Sequence, residues 1–234
     1  MDDLRMTSID LLSDIRAAIE VGRLAQRNEN FEGAIASYKN AIKLIEAIRS
    51  NSQHGDLDSA PDVAAYDFMA NYGCAVMTEY LANGDKAQLR RAFHYYQQLI
   101  DSPYADRQEV ALSCARTGLL SDESLVHGEL IKRFCEMAAG GKLSSHAHLL
   151  LGKVFETYDK DYDSAKSCYL KAFREGLPWG LRFYSTLCFR HGNRLVGVLG
   201  SILATAVGPV FAIFKGFQAP YAPTLQPTPV SLER

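Results

Sequence analysis

Leu151–Gly176 reads LGKVFETYDKDYDSAKSCYLKAFREG. It holds two helical patterns parted by an acidic break, with small residues where the helices would cross. Gly152 stands on the first pattern. Ala165, Tyr169 and Ala172 stand on the second, the aromatic four residues after one alanine and three before the other. That spacing puts all three on one helical face. Small side chains let the two helices approach closely, and the aromatic fills the gap to a neighbouring hairpin. The acidic residues before Ala165 suit the first turn of a helix, whose dipole favours negative charge.

The arrangement recurs near the N-terminus, with Val21-Gly22 on one helix and Ala34, Tyr38 and Ala41 on the next. The spacing predicts helices over Ile9–Arg27 and Phe31–Ile48, broken at Asn28, Glu29 and Asn30, and then a polar loop to Asp62. Further helices are expected over Val63–Leu81 and Lys86–Ile100, with a turn at Asn83-Gly84-Asp85. Two more fit near 105–118 and 122–139, followed by Ser144–Tyr158, Tyr162–Glu175 and Trp179–Arg190. In the second hairpin, Tyr72-Gly73 with Ala92, Tyr96 and Leu99 fits the pattern only with an insertion around 83–88. The last hairpin carries one residue more between its helices than the first. Strict strand alternation is absent throughout, so the sequence predicts an all-α chain of successive hairpins. Each hairpin buries its apolar face only against a neighbour, so such units stack in arrays.

Val21-Gly22 with Ala34, Tyr38 and Ala41 resembles the tetratricopeptide repeat. Leu151-Gly152 with Asp161, Ala165, Tyr169, Lys171, Ala172 and Gly176 resembles the related SEL-like repeat. The resemblance implies an antiparallel helix-hairpin solenoid over 1–192. It also implies a protein or peptide partner on a concave face lined by the first helix of each hairpin. Those helices would present Arg16, Glu20 and Arg23, then Asp67, Asn71 and Cys74, then Lys153 and Glu156. The clamp that some tetratricopeptide domains use for a chaperone tail is not reproduced, because Ile19 and Arg23 hold its positions. An adaptor or scaffold is the expected function.

Leu195–Phe214, LVGVLGSILATAVGPVFAIF, carries no charge. Its twenty residues match a hydrocarbon core of ~30 Å at ~1.5 Å per residue. Arg190, His191 and Arg194 precede it and Lys215 follows, which predicts a tail-anchored chain with its helical domain in the cytosol. Gly200, Ala204, Gly208 and Ala212 recur every four residues as a ridge for close helix packing or self-association. Two alternatives stand beside this: a soluble regulatory or scaffold protein whose C-terminal helix is buried or docks a partner, and a membrane-inserting effector. Residues 193–216 are thus expected as a transmembrane or buried helix. Residues 217–234, with Pro220, Pro223, Pro227 and Pro229, are expected as an extended tail.

Composition narrows the classes further. The 234 residues are 47% hydrophobic and 22% charged, enough for a packed core. A net charge of −2 and a pI near 6.3 argue against a nucleic-acid partner. Cys74, Cys114, Cys135, Cys168 and Cys188 are scattered and odd in number, which suits reduced thiols rather than a disulfide frame. The acidic opening MDDLRMTSID predicts no secretory signal. His146 and His148 sit two apart on a helix and point about 200° apart, so they do not converge on a metal. Cys188 and His191 have workable spacing but no second pair. Asp159, Asp161 and Asp163 alternate as in a calcium loop, yet Ser164 and Leu170 stand where that loop needs Gly and Glu. No phosphate loop, dinucleotide fingerprint or nucleophile elbow is present, so no cofactor and no catalytic set is expected.

Overall fold

The computed structural model describes residues 8–50, 61–121 and 124–214, with side chains described over 11–50, 62–121 and 128–205. Among these residues are ten α-helices and no strand. They are α1 (Ser8–Arg27), α2 (Phe31–Ser50), α3 (Pro61–Ala82), α4 (Lys86–Leu99) and α5 (Arg107–Leu120). The remainder are α6 (Ser124–Ala138), α7 (Ser144–Val154), α8 (Tyr162–Arg174), α9 (Pro178–His191) and α10 (Arg194–Phe214). Each packs on the next along the chain, giving five adjacent pairs, an all-α order consistent with a helical solenoid.

Short polar side chains set where the helices start. Asn30 Oδ1 accepts from the Gly33 amide at 3.0 Å, Asp85 from Ala87 at 2.8 Å and Asp161 from Ser164 at 3.1 Å. Each satisfies an amide that the first helical turn leaves without a partner. Asp106 caps α5 and Asn193 caps α10 in the same way. The turns before three of these caps reverse through left-handed backbone, at Glu29 (φ 58°), Gly84 (φ 89°) and Lys160 (φ 59°).

Counting from those turns fixes the register. Nine residues on from Glu29, Gly84 and Lys160 stand Tyr38, Phe93 and Tyr169. A Cβ added at Gly22 would lie 2.7 Å from the Tyr38 ring, and one at Gly73 would lie 2.5 Å from its other edge. Tyr38 of α2 is therefore clamped between α1 of its own hairpin and α3 of the next. Tyr169 meets Gly152 of α7 in the same manner, a Cβ there reaching 2.5 Å, and its ring stacks on Phe183 of α9 with centroids 5.5 Å apart. Ala34, Ala41, Ala165 and Ala172 are fully buried beside these rings.

In the second hairpin the aromatic that meets a glycine is Phe93, not Tyr96, and it does so on one side only. A Cβ at Gly118 of α5 would fall 3.1 Å from the Phe93 ring and 2.8 Å from Ile131 of α6. Counted from Gly73, Phe93 stands 20 residues on and Tyr96 23, against 16 from Gly22 to Tyr38, so placing the pattern on Phe93 shortens the insertion to four residues, about one further turn of α3 before Gly84. The extra residue in the fourth hairpin also has a definite place. Glu29 follows Gly22 by seven residues, whereas Lys160 follows Gly152 by eight. A single π turn, Phe155–Asp159, takes up the difference at the end of α7. Such a turn inserts one residue without breaking the helix.

The uncharged run forms the second helix of a fifth pair. Gly197 of α10 is buried against the backbone of Phe189 in α9, where an added Cβ would come within 2.7 Å of the Phe189 nitrogen. Gly200 lies on Ser185. Among the described residues no helix is long and apolar enough to cross a membrane. The side chains of Gly208 and Ala212, and the tail at 217–234, lie outside the described residues.

The clamps yield a stability prediction. Gly73→Ala should lower the melting temperature despite the better helix propensity of alanine, through overpacking worth about 1–3 kcal/mol. Gly140→Ala meets only Gln108, at 3.8 Å, and should leave melting unchanged. Thermal unfolding followed by circular dichroism distinguishes the two.

Candidate functional site

The residues expected on a common concave face fall into three separate clusters. On α1, Arg16 and Glu20 are exposed. Arg23 donates to Glu20 at 2.8 Å and reaches across to the Met69 sulfur of α3 at 3.6 Å. On α7, Lys153 pairs with Glu156 at 2.9 Å, and Glu156 accepts from the Tyr169 hydroxyl at 2.6 Å. The Lys153 ammonium also sits 4.4 Å from the Phe183 ring centroid. Burial raises the Glu156 pKa, but the hydrogen bonds from Tyr169 and Lys153 outweigh it, so its carboxyl titrates below the ordinary range. These contacts join helices within the stack.

Asp67 and Asn71 differ, because they line a groove. Asp67 pairs with Arg49 at the end of α2 at 2.9 Å, and Asn71 donates to Asp67 at 2.7 Å. Their helix, α3, forms one wall of a cavity of about 410 Å³. Ile42 and Glu46 of α2 face it from one side and Gln98 and Leu99 of α4 from the other. Phe68 adds an aromatic surface, and Tyr104 stands beyond α4. Two acids, one guanidinium and two amides share the lining with Ile42, Phe68 and Leu99, a mixture that suits a peptide segment with both polar and apolar side chains.

The most buried charges in the described chain lie outside the residues that sequence singles out. Arg116 of α5 donates to Glu79 of α3 through Nε at 2.6 Å and Nη2 at 2.8 Å. Their side chains are only 6% and 1% exposed, so the pair is fully taken from water. The Tyr96 hydroxyl donates to the same carboxylate at 2.9 Å. Burial, and then the Glu79 charge, hold Tyr96 well above its usual pKa, so it stays a donor. A second bond of the same span, from Tyr72 to Glu109 at 3.1 Å, also ties α3 to α5. A signal existed: Glu79 is the sole charge over Phe68–Gly84, and Arg116 the sole charge over Val110–Ser121.

Reactive chemistry does not assemble around the remaining candidates. Ser144, His148 and Glu175 meet, but the serine at 3.2 Å and the carboxylate at 2.8 Å both address Nδ1 of His148. A nucleophile relay needs them on opposite ring nitrogens. His146 is separate, and burial, then the nearby Arg116 charge, lowers its pKa. His191 stacks on Tyr162 at 4.0 Å rather than turning to Cys188. Burial raises the Cys74 thiol to about 11 and pushes Cys114 and Cys135 up further, which keeps them protonated. Among the described residues no three potential ligands gather as a metal site. Asp161 is the cap of α8, and the bonds from Ser164 lower its pKa. Compared with protein-family models, curated proteins and solved structures, the chain matches none.

Two measurements test these interactions. Glu79→Leu or Arg116→Met alone leaves a buried charge unpaired and should cost about 3–5 kcal/mol, whereas Glu79→Leu/Tyr96→Phe/Arg116→Met should recover most of the loss. Denaturant unfolding of all three variants reads this. Glu156 has a folded pKa below its unfolded value, so its stabilisation is present above the unfolded pKa and is lost as pH falls through the folded one. Glu156→Gln should therefore flatten the decline in melting temperature on acidification below about pH 4.3.

Proposed function

We propose that this chain is a protein-interaction scaffold. Tetratricopeptide- or SEL-like hairpins present the groove between α2, α3 and α4 to a protein or peptide segment, and the C-terminal hairpin holds the array at a membrane. The observation that carries the proposal is the groove itself, which gathers Asp67, Asn71, Glu46 and Arg49 beside Ile42, Phe68 and Leu99. The clamps at Gly22, Gly73 and Gly118 support the stacked-hairpin part, since they repeat one packing device along the chain. The array is proposed to face the cytosol, and nothing in the groove calls for a cofactor.

The test is affinity capture with the full chain, followed by binding measurements on the purified partner. Asp67→Ala/Asn71→Ala should weaken that binding at least tenfold. Melting should stay nearly constant, because the Arg49–Asp67 pair is partly exposed and such pairs contribute little. Arg16→Ala, on exposed α1, should change binding by less than twofold. Unchanged affinity in the groove variant would reject the groove as the binding site.

A further inference from the structure

We propose that the α9–α10 hairpin binds an anionic lipid surface with α10 lying along that surface while still packed on α9. This rests on the membrane reading above and specifies how the membrane is met.

The two sides of α10 differ sharply. Gly197 is buried on α9, and Gly200 and Ala204 are half-buried beside it. On the opposite side Leu195 is 73% exposed, Leu199 66%, Ile202 62% and Leu203 51%, with Val196 and Val198 also exposed. At 100° per residue these six side chains cover an arc of about 160°. The last helix of a soluble stack normally turns a polar face outward. Here the outward face is aliphatic, with Ser201 and Thr205 along one edge.

Charge selects the occupant. Tyr162–Phe214 carries six Lys and Arg against two Asp and Glu, while the rest of the chain carries 19 against 25. Arg190 and Arg194 are exposed at the corner where the apolar arc begins, beside the half-exposed ring of Phe189. An aliphatic arc bordered by cations matches acyl chains beneath anionic headgroups.

Geometry selects the mode. The glycine side of α10 already belongs to α9, whose Arg182 and Arg190 are exposed. A helix crossing the bilayer from Leu195 would have to leave α9 and uncover Gly197, Gly200 and Ser185. A helix in the surface plane sinks its apolar arc ~5–10 Å into the headgroup boundary and keeps that contact.

The experiment uses the full chain and two vesicle preparations, phosphatidylcholine alone and phosphatidylcholine with phosphatidylserine. Binding to the anionic vesicles should be at least tenfold tighter, fall at least tenfold at high salt, and be reversed by alkaline wash. Leu199→Asp/Ile202→Asp should lose at least tenfold in binding with unchanged circular dichroism. A Cβ at Gly200 would sit 3.2 Å from the Ser185 Cβ, close to the ~3.8 Å of a disulfide. Ser185→Cys/Gly200→Cys, in a Cys168→Ser background, therefore locks α10 to α9. Formation of the cross-link also reports that the hairpin is folded. The locked protein should bind as the reduced one does, within twofold.

Loss of binding on locking, restored by reductant, would overturn the surface mode in favour of a helix that leaves α9 to insert. Equal binding to both vesicles would overturn the role of headgroup charge. Absence of binding to either vesicle would sink the membrane reading itself. A dimer abolished by Leu199→Asp, with no vesicle binding, would show that a second copy covers the face.

Discussion

Tyr38 has a glycine on each side, and the order of the hairpins follows from that. With no side chain at Gly22 or Gly73, two helices close onto one ring, and the aromatic of α2 becomes part of the packing of both neighbours. A larger residue at either place must displace the ring or part the helices, since protein interiors leave no slack of that size. Gly118 with Phe93 and Ile131, and Gly152 with Tyr169, repeat one side of this contact further along. The contact is local in each case, and it sits within a buried apolar cluster that runs on from α1 to α7, with a second, smaller cluster from α7 to α9.

The middle of the array departs from this scheme and is fastened differently. Around Phe93 the flanking positions hold Leu89 and Tyr96 where the first hairpin has Ala34 and Ala41. Tyr96 then brings a hydroxyl into the interior, and a buried hydroxyl needs a partner. Glu79 supplies the acceptor and Arg116 balances its charge. Such a pair adds little net stability over apolar packing, but it admits few alternative arrangements. It fixes the register between α3 and α5, while the groove lined by Asp67 and Asn71 lies near the other end of α3.

Much of this was legible where the chemistry is local. Ala34, Tyr38 and Ala41 announce a close crossing, and Asn83-Gly84-Asp85 announces a turn and cap. Phe93 was missed because large residues flank it, so composition alone put the repeat on Ala92 and Tyr96; counting from Gly84 recovers it. The π turn was visible only as one surplus residue, because helical periodicity does not say where an insertion is absorbed. The pairing of α10 with α9 was hidden by the lack of polar residues in α10, which removes the usual sign of an outer face. Glycine spacing carried the remaining information, and Gly197, which the four-residue ridge omitted, makes the closest contact with the Phe189 backbone. At the candidate site, Asp67 and Asn71 are nameable from sequence as candidates, but the walls from α2 and α4 that make them part of a groove are not, because only tertiary packing brings those walls together.

In a stack held by ring-on-glycine contacts, the groove between α2 and α4 depends on where Tyr38 holds α3. The measurement that tests this most directly is a double-mutant cycle of Tyr38→Leu and Gly73→Ala, read as unfolding free energy. The clamp predicts that Gly73→Ala is destabilising with the Tyr38 ring present and neutral or stabilising once Tyr38→Leu has removed it, a coupling above about 1 kcal/mol. Effects that add to within about 0.5 kcal/mol would contradict it.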